Sequence, residues 1–196
     1  MKDIIDVMLD LETLGLGNTP VISQLSAVIF DIETGTTFEE YNEKVSPQSC
    51  VKLGLKIDAG TVEWWLKQDQ SILENVIVKS ITGGKNIKEV LATFSNFLKD
   101  IKKTHKAKEI RIWGNGTLAD NKWLESAFDL AQVEKPFKYW EHSDVRTLVD
   151  LGWRLTGVDH KKDLKFEGEK HNAIDDCKHQ IKYCSAIYKE LTNARK

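Results

Sequence analysis

The apolar run Ile4-Ile5-Asp6-Val7-Met8-Leu9 closes on Asp10-Leu11-Glu12-Thr13, and this junction restricts the fold more than any other stretch. The run reads as a buried strand. Two carboxylates one residue apart at a strand's end are costly to bury. Without a counter-charge each must neutralise itself or reach water. A divalent cation is the usual compensation, because Mg²⁺ and Mn²⁺ prefer oxygen ligands. Read alone, the tetrapeptide is more simply a solvated loop mouth with two ordinary acids. Two distant stretches turn that balance: Asn115 to Asp120, and His171-Asn172-Ala173-Ile174-Asp175-Asp176.

A chain of 196 residues fits one domain, taken as residues 1–196, and can bury a real core. Its apolar share of 41% and charged share of 30% are those of a globular protein. A net charge of −2 supplies no global basic field for nucleic acid. Lys and Arg do cluster in residues 99–111 and again in 178–196, where Arg195 and Lys196 close the second patch. Either patch suits phosphates or a solvated helix end equally. Cys50, Cys177 and Cys184 form no CxxC pair, and the last two share an apolar stripe, so core thiols in a reducing compartment are expected. No signal peptide or membrane-length apolar run is visible, which predicts a cytoplasmic protein with no membrane partner.

No repeat or linker divides the chain. Strands are expected at Val21 to Asp31 and Thr36 to Val45, joined by a turn at Ile32-Glu33-Thr34-Gly35. With the first strand they make an antiparallel three-strand meander. A short helix starts at Thr61, with that residue as its cap. Ile87, Val90, Leu91, Phe94, Phe97, Leu98 and Ile101 outline one face of an amphipathic helix over 86–101. A fourth strand follows at Glu109 to Trp113, then helices at 118–131, 144–151 and 171–192, with another strand between Phe137 and His142. The fold class is α/β: a mixed sheet, meander plus parallel strands, covered by helices.

Asp120 follows the fourth strand by a short loop and reaches Asp10 and Glu12 if that strand lies beside the first. It is otherwise a plain helix-start acid. On the last helix the apolar stripe runs through Ile174, Cys177, Ile181, Cys184, Ile187 and Leu191. Asp176 sits at about 90° from that stripe and Asp175 opposite it, at ~100° per residue. Asp176 is therefore the better ligand and Asp175 the solvated acid. His179 also points away and looks exposed. Asp10, Glu12, Asp120 and Asp176 can hold two divalent ions, and a nearby His can take a proton from an attacking water. Acids, metals and a base are the parts of phosphodiester hydrolysis. No P-loop, GxSxG or HExxH motif is present.

The three ordered motifs, Asp10-Leu11-Glu12-Thr13, Gly114-Asn115-Gly116 with Asp120, and His171 separated by four residues from Asp176, resemble the DEDD exonuclease superfamily in its His-containing branch. That likeness implies a ribonuclease H-like fold. The run Ile57-Asp58 to Trp64-Trp65-Leu66-Lys67-Gln68, Trp113 to Gly116, Asp144 to Thr147 and Phe166 to Ala173 are similar to the small exonuclease VIII-like group, often found in phages. The resemblance implies a 3′-5′ exonuclease acting on single-stranded DNA or RNA with a free 3′ end, using two ions of Mg²⁺ or Mn²⁺. Asp10, Glu12 and Asp176 would hold the catalytic ion, and Asp10 with Asp120 the second. His171 would be the general base, and Thr13 and Leu14 would meet the terminal nucleotide. An aromatic often precedes the second-motif Asp in that superfamily, whereas Ala119 stands here. A homodimer is also compatible with the likeness.

Asn115 and Arg146 are further substrate candidates, although Arg146 could equally pair with a neighbouring acid. Of Trp64 and Trp65, adjacent on a helix, one packs and the other offers a stacking face, or both serve as core or interface aromatics. A competing function is a non-catalytic end-binding or polymerase-associated module on the same fold. Loss of an acid or of His171 would favour it, and none is lost.

Overall fold

In the computed structural model, which describes residues 3–193, the opening apolar run forms β1 (Ile4–Thr13). It lies at the centre of a five-stranded sheet with β2 (Ile22–Phe30), β3 (Thr37–Lys44), β4 (Glu109–Gly114) and β5 (His142–Asp144). The spatial order is β3-β2-β1-β4-β5. The first three strands are the expected antiparallel meander; β4 and β5 add in parallel.

Helices cover both faces. After β3 come α1 (Pro47–Leu53) and α2 (Ala59–Trp65), then α3 (Gln70–Leu73), a π-helical segment (Glu74–Val78) and α4 (Lys79–Gly83). Next is α5 (Ile87–Thr104), whose Ile87, Val90, Leu91, Phe94, Leu98 and Ile101 are buried as their spacing predicts. A π-helical turn (Thr117–Asn121) leads into α6 (Lys122–Ala131). The chain then runs through β5 into α7 (Val145–Thr156), the short α8 (His160–Asp163) and α9 (Ala173–Asn193).

Strand alternation divides β1 between two cores. Val7, Leu9 and Leu11 join the larger one with Leu25, Leu91, Phe94 and Phe128. Met8 joins a smaller one with Val28, Phe30, Cys177, Tyr183 and Cys184 beneath α9. Cys50, Cys177 and Cys184 are buried free thiols. Among the described residues no helix is long and apolar enough to cross a membrane.

Several local expectations change. The last strand is His142–Asp144 rather than Phe137 to His142, because Glu141 is buried and closes a 3-10 turn over Tyr139–Glu141. Its carboxylate accepts from the amides of Lys138 at 2.7 Å and Ile110 at 3.1 Å. The cap of α2 is Asp58; Thr61 donates to it through its amide at 2.9 Å. Helix α1 carries signals the sequence reading passed over: Ser46 caps it, Pro47 opens it, and Gly54 ends it at φ 106°. Some residues of the basic patches meet acids, as in Lys99–Glu134, Arg111–Glu109 and Lys178–Glu40. Arg195 and Lys196 lie outside the described residues.

Candidate active site

Asp10 and Glu12 leave β1 on the face that α9 covers, two residues apart along the pleat. Asp176, in the first turn of α9, comes down on them. One carboxylate oxygen from each of the three lies within 4.8 Å of the others. Asp120 closes the group from the far side. Its Oδ1 accepts from the Leu11 amide at 3.3 Å and its Oδ2 from the Asn115 amide at 3.1 Å, so it clamps the ends of β1 and β4 together. This clamp depends on Gly114: a Cβ there would stand 2.0 Å from Asn121 Oδ1. Asn121 is fixed in turn by donating to the Ile112 carbonyl at 2.9 Å.

The electrostatics are those of crowded acids. Burial first, then the charges of Asp120, Glu12 and Asp176, push the Asp10 carboxyl well above the usual range. Burial and the charges of Asp176 and Asp120 raise Glu12 likewise. Burial lifts Asp120 and Asp176 to about 6. Clustered hard oxygen donors that repel one another when ionised fit a divalent cation, which would relieve both burial and repulsion.

His171 stands just before α9 with φ at 61°, a left-handed conformation that costs a non-glycine residue about 1–2 kcal/mol. Its backbone helps to hold the Asp176 carboxylate ionised, and its half-buried ring meets Trp64 edge-on, centroids 5.0 Å apart. Burial, with Lys170 adding to it, lowers the imidazole below its ordinary value. The neutral ring is therefore the favoured form near neutral pH. His171 lines the same cleft as Asp10, Glu12, Asp120 and Asp176, a space of about 310 Å³.

A larger cleft of about 660 Å³ adjoins it, lined by Leu11, Glu12, Thr13, Leu16, Trp64 and His171 among others. The two tryptophans differ in burial. Trp65 is 2% exposed and its Nε1 donates to the Thr13 carbonyl at 2.8 Å; Trp64 is 43% exposed. Leu14 does not line this cleft. Its side chain is buried in the larger core, and the exposed leucine at the cleft is Leu16. Among the described residues Arg146 forms no ion pair with an acid; its Nε donates to the Asn115 carbonyl at 2.9 Å.

A family model described as a 3′-5′ exoribonuclease Rv2179c-like domain matches residues 5–188. The chain belongs to that family. It is a 3′-5′ exonuclease, a hydrolase. An exodeoxyribonuclease of Enterobacteria phage T4 is 24% identical over 207 residues, covering 90% of this chain and 86% of that protein. Among solved structures, E. coli exonuclease I in complex with a dT13 oligonucleotide matches with a TM-score of 0.69 and 15% identity, over 97% of this chain and 42% of that one. The nuclease domain of 3′hExo, a DEDDh family member bound to rAMP, matches with a TM-score of 0.65 and 13% identity, over 95% and 92%. At those identities the likeness is one of fold, the ribonuclease H-like sheet of DEDDh exonucleases.

In this Rv2179c-like domain, two site features escaped the sequence reading, and two residues it had placed in solvent stand elsewhere. Gln180, one turn beyond Asp176, is buried and donates to Asp10 Oδ1 at 2.9 Å; its i+4 spacing from Asp176 was the available signal. Lys44 donates to Gln24 Oε1 at 2.6 Å and is pulled down to about 8 by burial, against the opposing charge of Glu12. Asp175 is not a free surface acid. Its Oδ2 accepts from the Glu169 amide at 3.0 Å, and a Cβ on Gly168 would stand 2.6 Å from its Cγ. It pins the loop that carries His171. His179 is half-buried against Phe166 and Tyr183 rather than exposed.

Proposed function

We propose that residues 1–196 act as a single metal-dependent exonuclease domain that removes nucleotides from the 3′ end of single-stranded DNA or RNA. The observation that carries the reading is the cluster of Asp10, Glu12 and Asp176 oxygens within 4.8 Å, in one cleft with Asp120 and His171. Asp10, Glu12 and Asp176 hold one Mg²⁺ or Mn²⁺, and Asp10 with Asp120 a second. The pair of ions, when bound, supplies the positive charge that favours the attacking and leaving oxygens of an in-line displacement.

The chain's own groups do the rest. Gln180 fixes the Asp10 carboxylate. His171, neutral and free to accept, takes the proton of the attacking water at a ring nitrogen. Thr13, Leu16 and Trp64 line the space for the terminal sugar and base, in place of Leu14. Asn115 and Arg146 border the scissile phosphate. The exonuclease VIII-like kinship, a cytoplasmic setting that keeps the thiols reduced, and a homodimer belong to the same proposal.

End-labelled single-stranded DNA and RNA of equal sequence test it, with Mg²⁺, Mn²⁺ or EDTA. The expected result is metal-dependent release of mononucleotides, stopped by a bulky 3′ block and not by a 5′ block. Digestion that proceeds in EDTA, or from the 5′ end, overturns it.

A further inference from the structure

A second nucleotide-sized cleft, of about 400 Å³, lies beyond Arg146. Helix α7 turns one stripe toward it: Arg146, Val149, Asp150 and Trp153, spaced i, i+3, i+4 and i+7. Lys161 and Lys162 of α8 form another wall. This cleft shares Asn115 and Arg146 with the carboxylate cleft. The Trp64 cleft meets the carboxylate cleft along Leu11, Glu12, Trp123 and His171, and Arg146 borders all three spaces. The carboxylate cleft thus adjoins two further spaces, each large enough for a nucleotide.

We propose that the Trp153–Lys161 cleft binds the nucleotide on the upstream side of the scissile phosphate, with its base against the Trp153 ring and its phosphate toward Lys161 and Arg146. The inference rests on the exonuclease reading above. In that reaction the water oxygen bonds to phosphorus and the P–O3′ bond to the upstream nucleotide breaks. The upstream oxygen leaves as a hydroxyl, and a nucleoside 5′-monophosphate is released. The scissile phosphate therefore has a nucleotide on either side, and two flanking sites are needed.

Four features favour this occupant. Trp153 is 53% exposed, and among the described residues no other ring packs against it. An unstacked indole beside cations is the platform on which single strands stack. The cleft's acids are already matched: Asp159 pairs with Lys162 at 3.0 Å and Asp150 with Arg154 at 2.8 Å. Among the described residues Lys161 forms no ion pair, so its charge faces an incoming phosphate unopposed. Asn115 Oδ1, on the shared wall, is buried without a hydrogen-bond partner, an acceptor that a nucleotide hydroxyl or base N–H would satisfy. The walls are also held in place. A Cβ on Gly152 would stand 2.6 Å from Ile187, so α7 lies directly on α9, and His160 ties α8 to Glu190 at 2.5 Å.

The decisive experiment is a cycle between Trp153→Ala and the base it is proposed to hold. The substrates are two single-stranded octanucleotides, one intact and one abasic at the penultimate 3′ position. A third, abasic four residues from the 3′ end, is the control. Kd is read by anisotropy in EDTA, and KM with Mg²⁺. Trp153→Ala should weaken binding of the intact strand by about ten- to a hundredfold, the worth of one stacked base. Removing the penultimate base should weaken wild type comparably and leave Trp153→Ala indifferent, while the control abasic site shows no such coupling. Lys161→Ala should reduce the slope of log Kd against log salt by about 0.7, one phosphate contact on a single strand. If the two losses simply add, or Trp153→Ala binds the intact strand as wild type does, the inference fails, whether or not hydrolysis occurs. Coupled binding without any hydrolysis by wild type would instead sink the exonuclease reading and leave the binding site standing.

Discussion

The two faces of β1 differ in what they ask of their residues. On the face toward α5, Leu9 and Leu11 pack into an apolar core with Leu91, Phe94 and Phe128. On the face toward α9, Asp10 and Glu12 adjoin a row of buried or half-buried polar groups on the neighbouring strands. There Gln24 and Ser26 both donate to Asn42 Oδ1, at 2.8 Å each, and Lys44 reaches Gln24. The dry face stabilises the fold through burial, at roughly 1.5–3 kcal/mol for each large side chain. On the wet face Met8 still packs under α9, but the Asp10–Glu12 end opposes folding, because its carboxylates are held where their charged forms are disfavoured. One strand therefore carries only packing on one side and, at the C-terminal end of the other, strained chemistry, the usual trade at an active site.

Substitutions on the wet face should separate activity from stability most sharply. Asp10→Asn is expected to lower hydrolysis by about 10³-fold or more, since metal placement accounts for several kcal/mol of transition-state stabilisation. In EDTA at pH 7.5 the same variant should melt higher than wild type, because it removes a charge that burial and three neighbouring acids disfavour. A lower melting temperature would mean that the wet face contributes stability after all.

His171→Ala should cost about 10²–10⁴ in rate, the range for a general base, with metal affinity kept. The wild-type rate should rise with pH through a midpoint below 6.5, since burial depresses the imidazole. Isothermal titration with Mn²⁺ beside the pH–rate profile checks both. Loss of Mn²⁺ binding as severe as that of Asp10→Ala would make His171 a ligand or a structural residue.

Phe94→Ala marks the dry face. It should lose about 3–5 kcal/mol of stability by denaturant titration, with turnover per folded molecule near wild type at low temperature. An activity loss exceeding the unfolded fraction would show that the two faces are coupled.

The smallest effect is one of pH. Asp120 and Asp176 titrate at about 6 in the fold, against an ordinary value of 3.8. Groups raised in this way contribute stability that is full below the ordinary value and lost as pH rises through about 6. His171, depressed, works the other way, but it is a single half-buried ring against four acids. Metal-free protein should therefore melt higher at pH 5.5 than at pH 7.5, and saturating Mg²⁺ should narrow the gap. Equal melting temperatures in EDTA would mean that the carboxylates are not crowded in solution.

Much of this site could be read from residues alone, because its signals are local. Periodicity marks β1 to β4 and α5, since a strand repeats every two residues and a helix every 3.6. Angle on α9 selects Asp176 as the acid that joins Asp10 and Glu12, which the structure brings together. The short helices between β3 and α5 escaped because each is too brief to show a period. The loops misled for the opposite reason, since their side chains answer to partners far along the chain. Leu14 turns into the core while Leu16 remains exposed. Asp175 is aimed outward by helix angle, yet it is claimed by the Glu169 amide.

What the sequence by itself determined is the chemical inventory and the elements that carry it: acids on a strand end and a helix start, a histidine just ahead of that helix, and a mixed sheet to hold them. What only the tertiary structure decided is which groups meet. Asp120 bonds the Leu11 amide across 109 residues, and Gln180 bonds Asp10 across 170. The physical reason is range. Backbone periodicity is set by neighbours a few residues apart. A hydrogen bond between distant segments exists only once packing has brought them within about 3 Å.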